Sequence, residues 1–325
     1  MATKKSKRGT SAYMSEESIE KLNKMKEATG QSTGELFESL LEEKAAKDGE
    51  IAKRPTIFVV TSYKGGVGKS TTAACMAVCF GQAGDKVLVI DMDGQGNISE
   101  YMGVIDANGE EDCIANVMLP DRRGQFLGLK DIIKKTEYDN VDIAPSSISF
   151  ASGATELEKD NRSFREFRLA DAIRDLDAVR HYDKIIIDCP PAINLIAMNA
   201  VNALSSGNPD SMVIIPVKTE MFSIKGVRET LDLVDQAEKV AARIKPVKYK
   251  RKVLFTITEK NTTVYKTCKE IIQEELPGLD SFKTEIPKTT VVPESTVAYE
   301  VLITYDPTNA ASIAYAKLCE EIDNA

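Results

Sequence analysis

The sequence predicts an α/β protein built on a doubly wound, mostly parallel sheet, with a small, mostly helical appendage at its N-terminus. From Pro55 onward, short β-branched runs alternate with helical patterns. Most of these runs are apolar throughout, which is typical of strands covered on both faces. Residues 1–50 contain no such series and lead into a charged run from Glu42 to Lys53. We therefore expect two domains, residues 1–50 and 51–325.

Six runs form the predicted sheet: residues 57–60, 87–90, 141–143, 185–187, 212–215 and 253–257. The helical stretches between them fit right-handed crossovers between parallel strands. In such a sheet, ligands bind at the carboxyl ends of the strands.

Composition limits the classes of function. The chain has 325 residues and a formal net charge of −8, so any contact with nucleic acid must come from local basic patches. No apolar run approaches the ~20 residues that span a bilayer, and the basic segment Met1–Arg8 has no apolar core behind it. The six cysteines form no CxxC pair, which favours reduced core residues in a cytoplasmic protein.

A glycine-rich loop follows the first predicted strand and precedes a helical pattern over Ala73–Gln82. This strand–loop–helix context is what a phosphate-binding loop requires, because backbone N–H groups and the helix dipole then surround a phosphate. Lys69 would reach the β- and γ-phosphates, Ser70 would bind Mg²⁺, and Thr71 is placed to bond the α-phosphate. The other loop residues are Gly65, Gly66, Val67 and Gly68.

Carboxylates follow two further strands. Asp91 and Asp93 come after the second, and Asp188 ends the apolar run Ile185–Ile187. A carboxylate after an apolar strand is suited to hold Mg²⁺ through water. The acidic pair at Asp91 and Asp93 could instead cap the next helix.

The loop departs from the general phosphate-binding pattern, since Tyr63 replaces its first glycine and a second lysine, Lys64, follows. The resulting KGGxGK[ST] pattern resembles the deviant P-loop ATPases, which include ParA, MinD, the nitrogenase iron protein and the arsenite-pump ATPase. The resemblance implies a P-loop NTPase fold that binds ATP and Mg²⁺. It also implies that Lys64 crosses a homodimer interface to the partner's nucleotide.

Two motifs narrow the resemblance to ParA. The segment Asp91–Asn97 is similar to the family's DxDxQGN segment, with Gly94 where ParA usually has Pro. By resemblance, Asp93 orients or activates the attacking water, and Asp91 supports Lys69 and the Mg²⁺ shell. The tetrapeptide Asp188-Cys189-Pro190-Pro191 again resembles ParA.

The resemblance covers roughly residues 55–323, and the C-terminal part is similar to the ParA/Soj ending. In that family, the segment after the last strand packs against adenine, which makes Pro287 a candidate for base contact. A MinD protein would end in a basic amphipathic helix, whereas the last helix here carries Glu320, Glu321 and Asp323, so no membrane partner is expected.

Nonspecific DNA binding requires lysines and arginines that displace counterions from phosphates. Six of the ten residues from Arg243 to Lys252 are basic. From this run we predict Lys248, Lys250, Arg251 and Lys252 as DNA contacts; the alternative is a solvated connection. The family places a DNA-contacting arginine where this chain has Asn261, and the neighbouring Lys260 could substitute.

The pattern of residues 1–50 predicts a short strand, Thr10–Met14, followed by a helix, a turn at Gly30 and a second helix. This pattern resembles the ribbon-helix-helix fold, in which a two-stranded ribbon enters the major groove. Ser11 and Tyr13 would then face the bases of an operator. The alternative is a helical hairpin that only dimerises or binds a partner.

The resemblance as a whole implies a plasmid or chromosome partition ATPase in the cytoplasm, associated with the nucleoid. ATP would close a homodimer that binds DNA nonspecifically, and a ParB-like centromere-binding partner would stimulate hydrolysis and release it. Two alternatives remain: a nucleotide-controlled repressor, and a positioning ATPase for a cargo other than DNA.

Overall fold

The structure is a computed structural model, and the residues it describes fall in the second of two units, Arg54–Ala325. The described residues are 54–104, 112–121, 123–161, 164–177, 181–220 and 223–324. The predictions for residues 1–50, including the roles of Ser11 and Tyr13, lie outside these ranges.

A seven-stranded sheet forms the centre of this unit. The strands are β1 (Thr56–Val60), β2 (Val87–Asp91), β3 (Lys134–Lys135), β4 (Val141–Ala144), β5 (Lys184–Asp188), β6 (Met212–Lys218) and β7 (Lys250–Thr256). Their order is β3-β4-β2-β5-β1-β6-β7. Every neighbouring pair is parallel except β3 with β4. The predicted doubly wound, mostly parallel sheet is confirmed.

Helices cover both faces of the sheet. They are α1 (Lys69–Gln82), α2 (Asn97–Tyr101), α3 (Ile114–Met118), α4 (Leu129–Ile132), α5 (Gly153–Lys159), α6 (Arg168–Asp177), α7 (Leu195–Asn202), α8 (Ser223–Ala241), α9 (Thr263–Glu275), α10 (Val291–Val297), α11 (Leu302–Tyr305) and α12 (Ala310–Asp323). Short 3₁₀ turns lie at Ile148–Phe150, Arg165–Phe167 and Ala203–Ser206.

Alternate residues of each central strand enter two separate cores, because successive strand side chains point to opposite faces. Phe58 and Val60 of β1 pack with α1 and α12 on one face. Ile57 and Val59 pack with α6, α7 and α8 on the other. The strands are therefore buried on both sides, which explains why their sequences are continuously apolar.

An ion pair cluster around the nearly buried ammonium of Lys184 joins the last helix described to the sheet. The ammonium of Lys184, at the start of β5, lies 2.6 Å from Asp85 and 2.7 Å from Asp323 of α12. It also sits 3.8 Å from the centre of the Phe80 ring. The last turn of α12 thus supplies one of the two carboxylates that balance a nearly buried cation.

The sheet differs from the prediction at both edges. The two-residue strand β3 pairs antiparallel with β4 and is too short to show a pattern in the sequence. At the other edge, β7 begins at Lys250 rather than Val253, so the predicted connection between helix and strand was wrong for its last residues. Charged residues are tolerated there because an edge strand exposes one side to solvent. β7 ends before Ile257, whose φ of 53° is incompatible with a strand.

None of the helices within the described ranges is long and apolar enough to cross a membrane.

Candidate nucleotide-binding site

Three predicted site segments meet at the carboxyl edge of the sheet. Asp188 at the end of β5 is the register partner of Val60 on β1 and of Asp91 on β2. β1 leads into the glycine-rich loop, and β2 leads into the Asp93 segment. The parallel pairing of β5 with both neighbours therefore brings the loop and the predicted carboxylates together, as the sequence predicts.

The glycine-rich loop has the conformation that its glycines were expected to allow. Gly66 and Gly68 have φ values of 69° and 81°, in the left-handed region where a side chain is strained. α1 begins directly after Gly68, at Lys69. The open N-terminal turn of this 14-residue helix faces the loop, which is the arrangement that favours a phosphate.

Lys69 is buried at the base of the loop, with a relative exposure of 8%. Burial lowers the pKa of its ammonium, while the nearby carboxyl groups of Asp188 and Asp93 oppose that shift. Its Nζ also donates a hydrogen bond of 3.4 Å to the backbone carbonyl of Lys64. The ammonium is thus directed toward the loop and its surrounding acidic groups.

Asp188 is a buried carboxylate whose two oxygens have no hydrogen-bond partner among the described residues. Burial, followed by the charge of Asp91, raises the pKa of its carboxyl to about 8, although the Ser70 hydroxyl and Lys69 act in the opposite direction. Leaving a buried carboxylate unpaired is costly unless something else binds it. The residue types and the unused oxygens therefore fit a hard cation beside Ser70.

Asp91 makes a different set of contacts. One oxygen accepts a hydrogen bond from the backbone N–H of Asp93, and the other accepts from both the N–H and the hydroxyl of Ser99. Burial raises the pKa of this carboxyl to about 7 against the effect of those bonds. Asp91 therefore shapes the Asp93 segment and anchors α2, as the capping alternative predicts. Its predicted support of the Mg²⁺ shell remains a prediction.

Gly94, the departure from the family's proline, lies under the 3₁₀ turn at Ile148–Phe150. A Cβ at Gly94 would stand 2.7 Å from the backbone N and Cα of Ala151, closer than real contacts allow. The residue next to Asp93 is therefore restricted to glycine by a neighbouring backbone segment. Asp93 itself is half-buried and accepts a hydrogen bond of 3.0 Å from the Gln95 N–H.

Lys64 is held within its own subunit. Its Nζ lies 2.5 Å from Oε2 of Glu220, which follows β6 at the same edge of the sheet. The sequence analysis missed Glu220. Its position two residues after a strand that ends at the ligand-binding edge was the available signal. The predicted contact of Lys64 with a second subunit's nucleotide remains a prediction.

A cleft of about 480 Å³ opens where β7 ends. It is lined by Thr258, Glu259, Lys288, Thr289, Thr290, Val291 and Asn309. β7 adjoins the glycine-rich loop, because the Thr256 hydroxyl donates to the backbone carbonyl of Val67. Pro287 pairs through its backbone with Thr258 rather than lining the cleft. Its predicted contact with a base remains a prediction, and the lining residues are additional candidates.

Most of the lysines and arginines predicted to contact DNA are engaged in ion pairs. Lys248 lies 2.8 Å from Glu238, Lys250 lies 3.0 Å from Asp210, and Arg251 pairs with Glu238 and Asp235. The remaining two are Lys252, stacked over Phe282, and Lys260, paired with Glu285. These cations already have partners, so phosphate contacts at this surface would have to compete with carboxylates.

The loop with its left-handed glycines, the buried lysine and the unpaired strand-end carboxylate define a P-loop nucleotide-binding protein. The family model described as an AAA domain matches residues 55–246. The chain is 31% identical over 271 residues to the sporulation initiation inhibitor protein Soj of Bacillus subtilis, covering 82% of this chain and 97% of Soj. The chain belongs to the ParA/Soj family of P-loop ATPases.

Further similarities concern the sequence, the fold and the N-terminal segment. The chromosome partitioning protein ParA of Caulobacter vibrioides is 26% identical, over 82% of this chain and 93% of that protein. A crystal structure of a putative plasmid partition protein from Borrelia burgdorferi, bound to AMPPNP, superimposes with a TM-score of 0.62 at 23% identity, over 83% of this chain and 98% of that one. A second family model, ribbon-helix-helix protein of the CopG family, matches residues 9–48.

Proposed function

We propose that this protein is an ATP-dependent partition ATPase that binds ATP with Mg²⁺. The observation that carries the proposal is the unpaired, buried Asp188 carboxylate beside a P-loop that contains both Lys64 and Lys69. Within the described part of the chain, no three His, Cys, Asp or Glu side chains cluster to hold a metal by themselves. That composition suits Mg²⁺, which binds one or two protein ligands together with nucleotide oxygens.

The roles of the site residues follow from their positions. Gly65 to Thr71 enclose the phosphates, Lys69 neutralises their charge, and Ser70 and Asp188 hold the metal ion, which would stabilise charge on the phosphate oxygens when bound. By its resemblance to the family's motif, Asp93 orients the attacking water, and Asp91 fixes the segment that carries it. Phosphoryl transfer needs mostly positioning and charge stabilisation, and these residues supply both.

The cellular cycle is proposed from the family. ATP closes a homodimer in which each Lys64 reaches the other subunit's phosphates, and the dimer binds DNA nonspecifically in the cytoplasm, on the nucleoid. A ParB-like partner stimulates hydrolysis, which is slow without it, and releases the dimer. The test is ATP turnover with purified protein, measured alone, with DNA, and with DNA plus the DNA-binding protein encoded beside it. Turnover that none of these additions raises would count against partition.

A nucleotide-controlled repressor is the second candidate, and the match of residues 9–48 to a ribbon-helix-helix model favours it. Proteins with that fold read operators through paired strands. The two activities are compatible in one chain. Footprinting on the DNA upstream of the gene distinguishes them, since a repressor protects a defined sequence and a nonspecific binder does not.

A further inference from the structure

The Lys64 ammonium occupies a defined position in the single subunit. It pairs with Glu220 at 2.5 Å, and the two side chains are 32% and 40% exposed. Glu220 also pairs through its other oxygen with Lys218. The hydrogen bonds from Lys218 and Lys64 lower the pKa of the Glu220 carboxyl, so it is ionised at neutral pH. Lys64 therefore faces a full negative charge.

The surrounding backbone fixes both members of this pair. The N–H of Glu220 donates to the Ser223 hydroxyl at 3.3 Å, and that hydroxyl donates to the carbonyl of Lys218. These bonds tie both Lys218 and Glu220 to Ser223, the first residue of α8. The backbone that carries the carboxylate is consequently anchored to that helix.

The backbone of Lys64 is docked against α8. A Cβ added at Gly226 would lie 3.4 Å from the Cβ of Lys64, an ordinary contact distance, so the two segments pack directly against each other. The N–H of Tyr63 donates to the Thr230 hydroxyl of the same helix at 3.1 Å. With the main chain held at this point, only the Lys64 side chain is left to move, and its ion pair with Glu220 opposes that movement.

We infer that Glu220 is a positioning residue that retains the Lys64 ammonium in its own subunit until another anion replaces the carboxylate. The inference rests on the proposed function, in which that anion is the partner subunit's nucleotide phosphate. When two subunits pair, the Lys64 ammonium of each one leaves the Glu220 carboxylate and binds the partner subunit's nucleotide phosphate. The Lys64–Glu220 contact sets part of the free energy that pairing must supply.

The matched variants are Glu220→Gln and Glu229→Gln. Glutamine keeps the shape of Glu220 and removes its charge. Glu229 lies on the adjoining helix α8, and its partner is Lys225, 3.8 Å away. Glu229→Gln therefore controls for the loss of one negative charge that does not contact Lys64. Partly exposed ion pairs contribute little to stability, so the effects should be modest and require a direct comparison.

The first measurement reports on the ion pair without requiring dimerisation. Labelling of the nucleotide-free protein with trinitrobenzenesulfonate, read at Lys64 by peptide mass spectrometry, should be about two- to fivefold faster in Glu220→Gln, because the Lys64 side chain is no longer held in the ion pair and reaches the reagent more often. Glu229→Gln should label Lys64 at the wild-type rate. An unchanged rate in Glu220→Gln would overturn the inference, even if the proposed dimerisation proved to be absent.

The second measurement is sedimentation with Mg²⁺ and a nonhydrolysable ATP analogue. Glu220→Gln should dimerise with a Kd about two- to thirtyfold lower, because each dimer releases two Lys64–Glu220 pairs, at unchanged nucleotide affinity of the monomer, while Glu229→Gln should match the wild type. Equal or weaker dimerisation of Glu220→Gln beside a dimerising wild type would overturn the restraining role. If the wild type does not dimerise, the proposed function fails, and faster Lys64 labelling alone would still support the restraint.

Discussion

Asp91 and Asp188 are register partners on adjacent parallel strands, and both carboxyl groups are fully buried at the edge where the P-loop begins. Their hydrogen bonding is opposite in kind. Asp91 uses both oxygens to fix its own segment, whereas Asp188 has none of its oxygens bonded among the described residues. The carboxyl group at the end of β2 therefore stabilises the local fold, whereas the one at the end of β5 is available for a ligand.

The first prediction concerns stability. The pKa of Asp188 is raised from 3.8 to about 8, so burying its charged form destabilises the nucleotide-free protein progressively as the pH rises from about 4 to 8. Asp188→Asn removes the penalty of burying a charged carboxylate, although it leaves a buried amide without hydrogen-bond partners. At pH 8 it should therefore raise the free energy of unfolding, and by less at pH 5, where the Asp188 carboxyl is already protonated in the folded protein.

Urea unfolding of the wild type and Asp188→Asn at both pH values measures that difference. The same variant should lose most of the thermal stabilisation that Mg²⁺ and ADP give the wild type. A variant that is less stable at pH 8 and is still stabilised by Mg²⁺ and ADP would contradict both the burial penalty and the metal role.

The second prediction concerns hydrolysis. Asp93→Ala should bind ATP with wild-type affinity. Within the described residues, the Asp93 carboxylate is hydrogen-bonded to the Gln95 N–H and not to the glycine-rich loop. Its turnover should fall by about 10²-fold, the lower end of what a positioned acid or base contributes. A coupled assay for ADP, together with fluorescence titration of a labelled ATP, separates the two effects. Wild-type turnover would remove the water-orienting role.

The third prediction concerns Lys64. Lys64→Ala should leave nucleotide binding by the monomer intact, since Lys69 provides the ammonium at the base of the loop. It should abolish dimerisation with an ATP analogue and the stimulation of turnover by a partner. Sedimentation and turnover assays test the two losses separately. A normal dimer population with normal stimulated turnover would show that Lys64 does not act across an interface.

The fourth prediction follows from Gly94. Gly94→Pro restores the residue that the family usually has, yet its Cβ would lie 2.7 Å from the Ala151 backbone. The Asp91–Asn97 segment should be displaced, and turnover should fall about tenfold or more, as small misplacements of reacting groups do. Gly128→Ala is a control in a loop where the nearest atom belongs to a side chain. A fully active Gly94→Pro would show that the 3₁₀ turn moves to accommodate the proline ring and that the Asp91–Asn97 segment stays in place.

The fifth prediction separates the two DNA-binding proposals. Deleting residues 1–50 should abolish operator recognition and leave ATP-dependent nonspecific binding. Lys248→Glu with Lys250→Glu should weaken only the latter and lower its log–log salt slope by about 0.9 for each lost phosphate contact. Arg251 is left unchanged because its side chain is 14% exposed and its reversal would damage the fold. Gel shifts at several salt concentrations measure both variants. Loss of all DNA binding on deletion alone would favour the repressor.

The fold and the core of the site were predictable because their signals are local. Continuous apolar strands indicated a two-sided sheet, and Gly66, Gly68 and Lys69 stand next to one another in the chain. The strand ends then fix where Asp91 and Asp188 meet. Lys64 with Glu220, and Gly94 with Ala151, could not be read in the same way. Each pair is distant in sequence, and its contact depends on how α8 or the 3₁₀ turn packs.

The basic run shows a second limit of the sequence. The number of basic residues in this run predicted a DNA-binding surface. That number carries no information about the carboxylates that pack against the run in the folded chain. Glu238 on α8 lies opposite Lys248 and Arg251, so the run is partly neutralised in the folded chain. A local excess of lysine and arginine is thus weaker evidence for a phosphate-binding surface than a loop whose backbone encloses the phosphate.

The cluster at Lys184 has a practical consequence for anyone who alters the C-terminus. Because Asp323 is one of the two carboxylates on that ammonium, shortening the chain before this residue would remove a counter-ion from the start of β5, at the centre of the sheet. A truncation within α12 would therefore perturb the same strand that ends in Asp188. A loss of activity in such a variant would report damage to the nucleotide site and not a separate role of the last helix.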